Sequence, residues 1–491
     1  MNRDHRYMAL FVCFLLLLLI SSWNIDQVNE NMPLVEFTEY LDERIPDLMK
    51  IYDIPGVSIA VVREGEIAWS NAYGYADLEA GRLMTVDTVC RAESISKPVT
   101  AWGVMNLVDE GLIDLDDPVM NHIDTWTMPE SEYDTYKVTI ERLLSHTAGM
   151  PLGTIGVHYP PNSDMPTLKD FLSNEAVMIS EPGTGFSYSN TGFNLLELMI
   201  EEVTERDFAE YMNETVLSPL GMKNSSYIFD SNWDPMVPNG YDTDGETVPP
   251  YVYPDKGSGG LFGTVKDFAR FAVAGMADIS GEAVLQSETL ESMYTSRAED
   301  VGFYRLVFDA YGLGYFIEWL DGSVRSVAHG GQGSGWMTHM VVIPETGDAI
   351  VILSNSQRSW PFFGFILSDW AHWLGFRDIG MGSLVLGRKI LSVVVGGIVG
   401  VSVFQGWLIL GGLVSGDKVI RLNHMSQVPS LLKVIVSLLL FGVLIWSVNQ
   451  EYLIIRSAFP ITSVWLWISL LSFDFVLIFS AAISEDWEQS H

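Results

Sequence analysis

Two kinds of hydrophobic pattern divide the chain. Residues 9–20 are almost wholly apolar, and three further apolar stretches come late, at Ile390–Val414, Leu431–Val448 and Ile461–Ile483. Each late stretch has about the 20 residues that a helix needs to cross a bilayer. Between these runs the apolar positions are periodic. Leu34, Phe37, Leu41, Ile45 and Leu48, spaced by three and four, predict an amphipathic helix over Met32–Lys50. After Ile54-Pro55-Gly56 the period changes: Val57–Val62 reads as a strand, Glu64-Gly65-Glu66 as a turn and Ile67–Gly74 as the antiparallel partner. Helical patterns then cover Lys97–Glu110, with Gly111 suited to a left-handed cap, and Thr139–Leu144, Asn194–Val203, Asp207–Leu217 and Thr264–Ala274. Strand character returns in Tyr311–Trp319, Ser323–Ala328, Trp336–Ile343 and Ala349–Asn355, separated by turns such as Glu345-Thr346-Gly347-Asp348.

A hairpin at one end, several strands at the other and helices between predict an α+β domain. One antiparallel sheet is assembled from both ends of the domain, and the helical middle packs against it. The expected division is a signal peptide or N-terminal anchor at 1–22, a folded domain at 32–360 and three transmembrane helices at 388–484. The start MNRDHRY supplies the basic flank of a secretory signal, and Ser21-Ser22-Trp23 is a weak cleavage site, so removal and retention both stand open. Arg3 and Arg6 place the N-terminus inside a cell membrane, which puts the folded domain on the extracellular side of a multi-pass protein. Lys418 and Arg421 then fall inside, as that rule wants, whereas Arg388 and Lys389 fall outside and oppose it. Asp474, within the last span, either faces the bundle interior or reaches a headgroup region, because an intramembrane carboxylate is costly.

Charge narrows the partners. The formal net charge is −35, and six basic and six acidic residues cancel from Arg388 onward, so the acidic excess belongs to the earlier part. Such a surface repels phosphodiester backbones and argues against nucleic acid. It suits a high-salt exterior or is merely acidic. The lipid bilayer and a small-molecule or peptide substrate are the partners expected, with oligomeric state left open. Cys13 and Cys90 allow no disulfide within the folded domain and have no metal-ligand spacing, and Cys90 reads as a small buried hydrophobe.

Three short elements carry chemistry. Ser94-Ile95-Ser96-Lys97 places a hydroxyl and an amine one helical turn apart, so the amine can activate the serine; an N-cap with an exposed lysine is the bland alternative. Tyr188-Ser189-Asn190, in a loop before a helix, can present a phenol and an amide to a cleft. An ammonium beside Tyr188 would favour its phenolate, although packing and helix capping would also explain the pair. His329-Gly330-Gly331-Gln332-Gly333, placed between two predicted strands, gives glycines that admit a substrate backbone, or a plain turn. No Gly-Lys-Ser/Thr follows, so it is not a nucleotide loop.

In this order the three elements resemble the serine beta-lactamase and penicillin-binding protein superfamily, class C beta-lactamase-related group. That group also contains D-alanyl-D-alanine carboxypeptidases and esterases. Supporting segments are Gly111-Leu112-Ile113-Asp114-Leu115-Asp116-Asp117-Pro118-Val119, Leu143-Leu144-Ser145-His146-Thr147-Ala148-Gly149, Glu181-Pro182-Gly183 and Gly259-Gly260-Leu261, and the resemblance spans about residues 34–356. It implies a beta-lactamase/transpeptidase-like fold and a serine hydrolase that acts on an amide, ester or beta-lactam through a covalent acyl-enzyme, with no cofactor. Ser94 is then the nucleophile, and Lys97 its base or the group that holds the tyrosine pKa down. Tyr188 is the proton shuttle and Asn190 a positioning residue, while the backbone amides of Ser94 and Gln332, beside Gly331, form the oxyanion hole. His329 stands where class C enzymes carry a lysine, which weakens the case for antibiotic hydrolysis. His146 falls in a stretch that resembles a structural segment of the group. The rival readings are a catalytically inactive, membrane-anchored sensor or binding module, and a function held by the C-terminal spans.

Overall fold

The computed structural model of the chain describes residues 28–485 except residues 154, 231–232, 234–236, 277–283 and 450–453. The apolar run at 9–20, and with it the signal or anchor expectation, lies outside the described residues. Val28–Ser383 forms one compact unit, and the chain from Leu384 belongs to a second.

In the first unit, helix α1 (Leu34–Tyr52) buries Phe37, Leu41, Ile45 and Leu48, the predicted stripe, and ends where Asp53 turns left-handed. The sheet comprises β1 (Gly56–Arg63), β2 (Glu66–Asp77), β3 (Arg82–Leu83), β4 (Ala310–Tyr311), β5 (Phe316–Leu320), β6 (Val324–Gly333), β7 (Trp336–Ile343) and β8 (Asp348–Ser354). Its order is β3-β2-β1-β8-β7-β6-β5-β4, all antiparallel. The seam between β1 and β8 pairs Val57 with Ser354 and Val62 with Ala349, so the two ends of the domain meet at the centre of one sheet, as expected. The helical middle includes α2 (Ser96–Asp109), α3 (Asn190–Thr204) and α4 (Val265–Ala274). Thr139 and Thr264 cap their helices by accepting from Arg142 and Asp267 amides, and Gly111 takes the predicted positive φ after α2.

Three differences from the sequence expectation bear on the site. The segment His329–Gly333 is not a connection between strands but the second half of β6, paired with β7 from Gly330↔His339 to Gly333↔Trp336. The predicted strand Tyr311–Trp319 breaks into β4 and β5, because Gly312 packs onto the Met293 carbonyl and Gly314 turns at positive φ beside Ala101. Helix α3 begins at Asn190 rather than Asn194, with Ser189 as its cap. A helix that no periodicity marked, α5 (Trp360–Trp373), is apolar nearly all round. It packs on α1 through stacked Phe37 and Trp373 rings and an Arg44–Asp369 ion pair.

The second unit holds the three candidate spans α6 (Gly382–Ser415), α7 (Val428–Val448) and α8 (Pro460–Ala481), each long and apolar enough to cross a membrane. Helices α7 and α8 pack together, and Trp467 donates to Ser447 between them. Asp474 is buried within this unit rather than turned outward.

Candidate active site

The turn that carries Ser94 is held from several sides. Cys90–Arg91 pairs with Phe262–Gly263, the Ala92 amide donates to Leu261, and Thr338 of β7 donates its hydroxyl to the Ala92 carbonyl. Cys90 is buried, and burial pushes its thiol up to about 12, which suits the inert role expected of it. Glu93 takes a left-handed φ of 49°, and a short 3-10 turn over Glu93–Ile95 leads into α2. A non-glycine residue in that region stays there only when its surroundings over-determine it. They do so here: the buried Glu93 carboxylate accepts from Arg91 Nε at 2.6 Å, Tyr251 Oη at 2.9 Å and Tyr253 Oη at 3.1 Å, while Ser96 Oγ donates to its carbonyl.

This turn leaves Ser94 partly exposed above a fully buried Lys97. Lys97 Nζ lies 3.2 Å from Ser94 Oγ, 2.7 Å from Asn190 Oδ1 and 2.9 Å from the Ser258 carbonyl oxygen. Burial pulls its pKa down to about 7, partly opposed by the Asp255 and Glu93 carboxylates. As a neutral amine it keeps two N–H donors for Asn190 and Ser258, and its lone pair can then receive the Ser94 proton. Tyr188 stands beside Ser94, whose side chain opposes the rise of its pKa, and its ring lies 4.9 Å from Lys97 Nζ. The lowered tyrosine pKa expected from a neighbouring ammonium is not found: burial, with a smaller contribution from the nearby Tyr304 hydroxyl, pushes the phenol upward and favours its protonated form. Ser189 Oγ caps α3 by accepting from the Gly192 amide, which leaves the Asn190 side chain for Lys97.

The strand β6 lies beside the turn that carries Ser94. Strand β5 pairs with β6 only as far as Phe316↔Ala328, so among the described residues no strand covers that edge from His329 to Gly333. The missing side chain of Gly331 faces this turn: a Cβ there would strike the Ala92 carbonyl and the Thr338 hydroxyl, and one on Gly333 would strike the Glu93 carboxylate. Gly331→Ala is therefore expected to push β6 off the turn and destabilise the Val28–Ser383 unit by about 1–3 kcal/mol, the usual cost of overpacking. Denaturant unfolding checks it, and unchanged stability would mean that the turn and strand are not held together. Alternation sends Gln332 to the opposite face, where its Oε1 accepts from Trp360 Nε1, so it offers the site only its backbone.

His329 is 1% exposed, with Nδ1 at 2.9 Å from the Gly330 carbonyl and Nε2 at 3.4 Å from the Tyr311 hydroxyl. Burial, and then Lys97, lowers its pKa to about 3, so the ring is uncharged at neutral pH. His146 is also buried and held neutral. Its Nδ1 accepts from the Ser189 amide and its ring packs on Tyr188 at 4.4 Å, so it supports the Tyr188 loop. The structure thus gathers Ser94, Lys97, Tyr188 and Asn190 in one cluster with Gly331 and His329 alongside. Ser258, Glu93 and Arg91 were not anticipated: a backbone carbonyl has no sequence signature, and Arg91-Ala92-Glu93 matches no periodicity. Among the described residues no three His, Cys, Asp or Glu side chains form a group that could hold a metal ion.

With this geometry in view, known proteins supply the family. The chain is 26% identical over 343 residues to Penicillin-binding protein 4* of Bacillus subtilis (strain 168), covering 64% of this chain and 71% of that protein. It is 25% identical over 325 residues to Protein flp of Staphylococcus aureus (strain MRSA252), and the match spans 62% of that protein's length. Among solved structures, it resembles the octameric penicillin-binding protein homologue from Pyrococcus abyssi, with TM-score 0.59, 26% identity and coverage of 74% of this chain and 82% of that one. A beta-lactamase/D-alanine carboxypeptidase from Pseudomonas syringae shares the fold at TM-score 0.54 and 20% identity, over 65% of this chain and 94% of the other. The family model described as Beta-lactamase matches residues 41–364, more than half of the 491 residues, and the chain belongs to that family.

Proposed function

We propose that this protein is a serine hydrolase that cleaves an ester or amide through a covalent acyl-enzyme. One observation carries the reading: Ser94 Oγ lies 3.2 Å from a buried lysine amine whose pKa is lowered to about 7. A hydroxyl becomes a useful nucleophile when a neighbouring base can take its proton, and a base poised near ambient pH serves best. Lys97 is that base, and Tyr188, kept protonated, is the relay that returns a proton to the departing oxygen or nitrogen. Ser94 Oγ bonds to the carbonyl carbon, the bond to the leaving group breaks, and water then releases the acid and restores the serine hydroxyl. The Ser94 and Gln332 amides are assigned to the developing oxyanion, which preorganised donors stabilise best. Asn190 positions the lysine.

The uncharged His329 favours esters and neutral amides over substrates gripped by a carboxylate. The three C-terminal helices are assigned to the membrane, and Arg3 and Arg6 support an outward-facing hydrolase unit. The test is to treat the folded full-length protein with an alkyl fluorophosphonate, locate the adduct by peptide mass, and screen p-nitrophenyl esters, nitrocefin and D-amino-acid peptides against wild type and Ser94→Ala. An adduct on Ser94 and ester turnover lost in Ser94→Ala are expected. No adduct and no turnover would leave the sensor or binding-module reading.

A further inference from the structure

The wall beyond Tyr188 is aromatic, and the one cation on its turn, the exposed Arg305, donates to the Glu299 and Asp309 carbonyls. Tyr304, from the turn Gly302–Leu306, lies 5.5 Å from the Tyr188 ring and 5.0 Å from Phe316, and Phe316 in turn lies 5.5 Å from His329. Phe308 stacks on Phe316 at 4.4 Å and closes the wall behind. At its outer lip Phe303 is 58% exposed and Leu306 63%, two large apolar side chains presented to solvent on the same turn as Tyr304. The fixed charges beneath the nucleophile balance without surplus. Arg91 is paired with Glu93, and Lys97 feels Asp255. When Lys97 gives up its proton the cluster becomes net negative, which disfavours an anionic substrate group in the same cleft.

Which part of a substrate meets this wall follows from the proton path. Tyr188, assigned to protonate the departing atom, is itself part of this wall, 5.5 Å from the Tyr304 ring and stacked on Phe316 at 6.2 Å, so the leaving group is assigned to the wall. We infer that the substrate's leaving group is an uncharged, apolar alcohol or amine, seated against Tyr188, Tyr304 and Phe316 and extending over Phe303 and Leu306; this rests on the reading of Ser94 as nucleophile. The carboxylate-bearing leaving group of a peptide with a free C-terminus meets only Arg305 here, whose guanidinium is tied to the Glu299 and Asp309 carbonyls.

Acetate esters of unbranched alcohols isolate the effect, because the acyl group and the leaving-group chemistry stay constant while chain length grows. With the full-length protein in lipid nanodiscs, kcat/KM from acetate release is expected to rise about tenfold or more from ethyl to hexyl acetate. The hexyl-to-ethyl ratio is expected to fall about threefold or more in Phe303→Ser/Leu306→Ser, a change at exposed positions. An acetate ester whose six-carbon alcohol ends in a carboxylate is expected to react about tenfold more slowly than hexyl acetate. A flat length profile, an unaltered ratio in the double variant, or equal turnover of the carboxylate ester, with Ser94 still labelled by fluorophosphonate, would overturn the apolar leaving group and leave the hydrolase intact. Failure of Ser94 to label, with no turnover of any ester, would overturn both.

Discussion

Lys97→Met is expected to slow acylation of Ser94 on the order of 10³-fold, within the range that loss of a general base produces. Methionine keeps the length and burial of the side chain and removes the lone pair that lies 3.2 Å from Ser94 Oγ. Single-turnover acylation by a chromogenic ester reads this step directly. In the wild type the rate is expected to climb as pH rises through about 7, where the buried amine loses its proton, and to level above about 8. The variant is expected to lack that inflection. Stability gives an independent check with a definite sign. The folded lysine pKa is depressed to about 7 from 10.5, so between those values the unfolded chain binds a proton that the folded chain does not. Wild-type stability therefore gains up to about 1.4 kcal/mol per pH unit across this window relative to Lys97→Met, and the gain is absent below it. The same pH inflection in both proteins would remove Lys97 as the base.

The parts of this design that were legible in the sequence are those governed by short-range rules. The stripe from Phe37 to Leu48, the helix starts at Thr139 and Thr264 and the Gly111 terminus each depend on neighbours within a few residues. The chemistry was legible for a similar reason: Ser94 and Lys97 share one turn, and Tyr188 and Asn190 sit one residue either side of a cap. What escaped is set by contacts distant in sequence. His329–Gly333 is strand because β7 pairs with it, and it is glycine-rich because Ala92, Thr338 and Glu93 fill the space where side chains would stand. A glycine run with no side chains to pack reads locally as a turn. The start of α3 was placed late because Thr191-Gly192 is a poor helical opening until Ser189 satisfies the Gly192 amide. The direction of the Tyr188 shift is not legible in the motif, which shows the amine beside it but not the enclosure by Tyr304, Phe316 and His146 that sets it.

Arg91→Met is expected to destabilise the Val28–Ser383 unit by about 3–5 kcal/mol, the usual consequence of leaving a buried carboxylate without its charge partner. Arg91 and Glu93 are both buried, with Arg91 fully so. The guanidinium does more than neutralise Glu93: it donates to the Tyr251 carbonyl at 2.5 Å and the Gly259 carbonyl at 3.2 Å, and lies 4.1 Å over the Tyr251 ring. It therefore ties the turn that carries Ser94 to the segment that delivers the Ser258 carbonyl to Lys97. Glu93, pressed against Gly333, ties the same turn to β6. At roughly 2 °C per kcal/mol for a domain of this size, the thermal midpoint of the variant falls by about 6–10 °C. Arg91→Met/Glu93→Gln removes both charges and is expected to recover about 2 kcal/mol or more of that loss, because it leaves no lone buried ion. Its acylation rate nevertheless stays below wild type, since a neutral side chain at 93 holds the left-handed turn less firmly. If the two substitutions simply add in stability, or the double variant acylates at the wild-type rate, the pair is not what sets Ser94 against the strand edge.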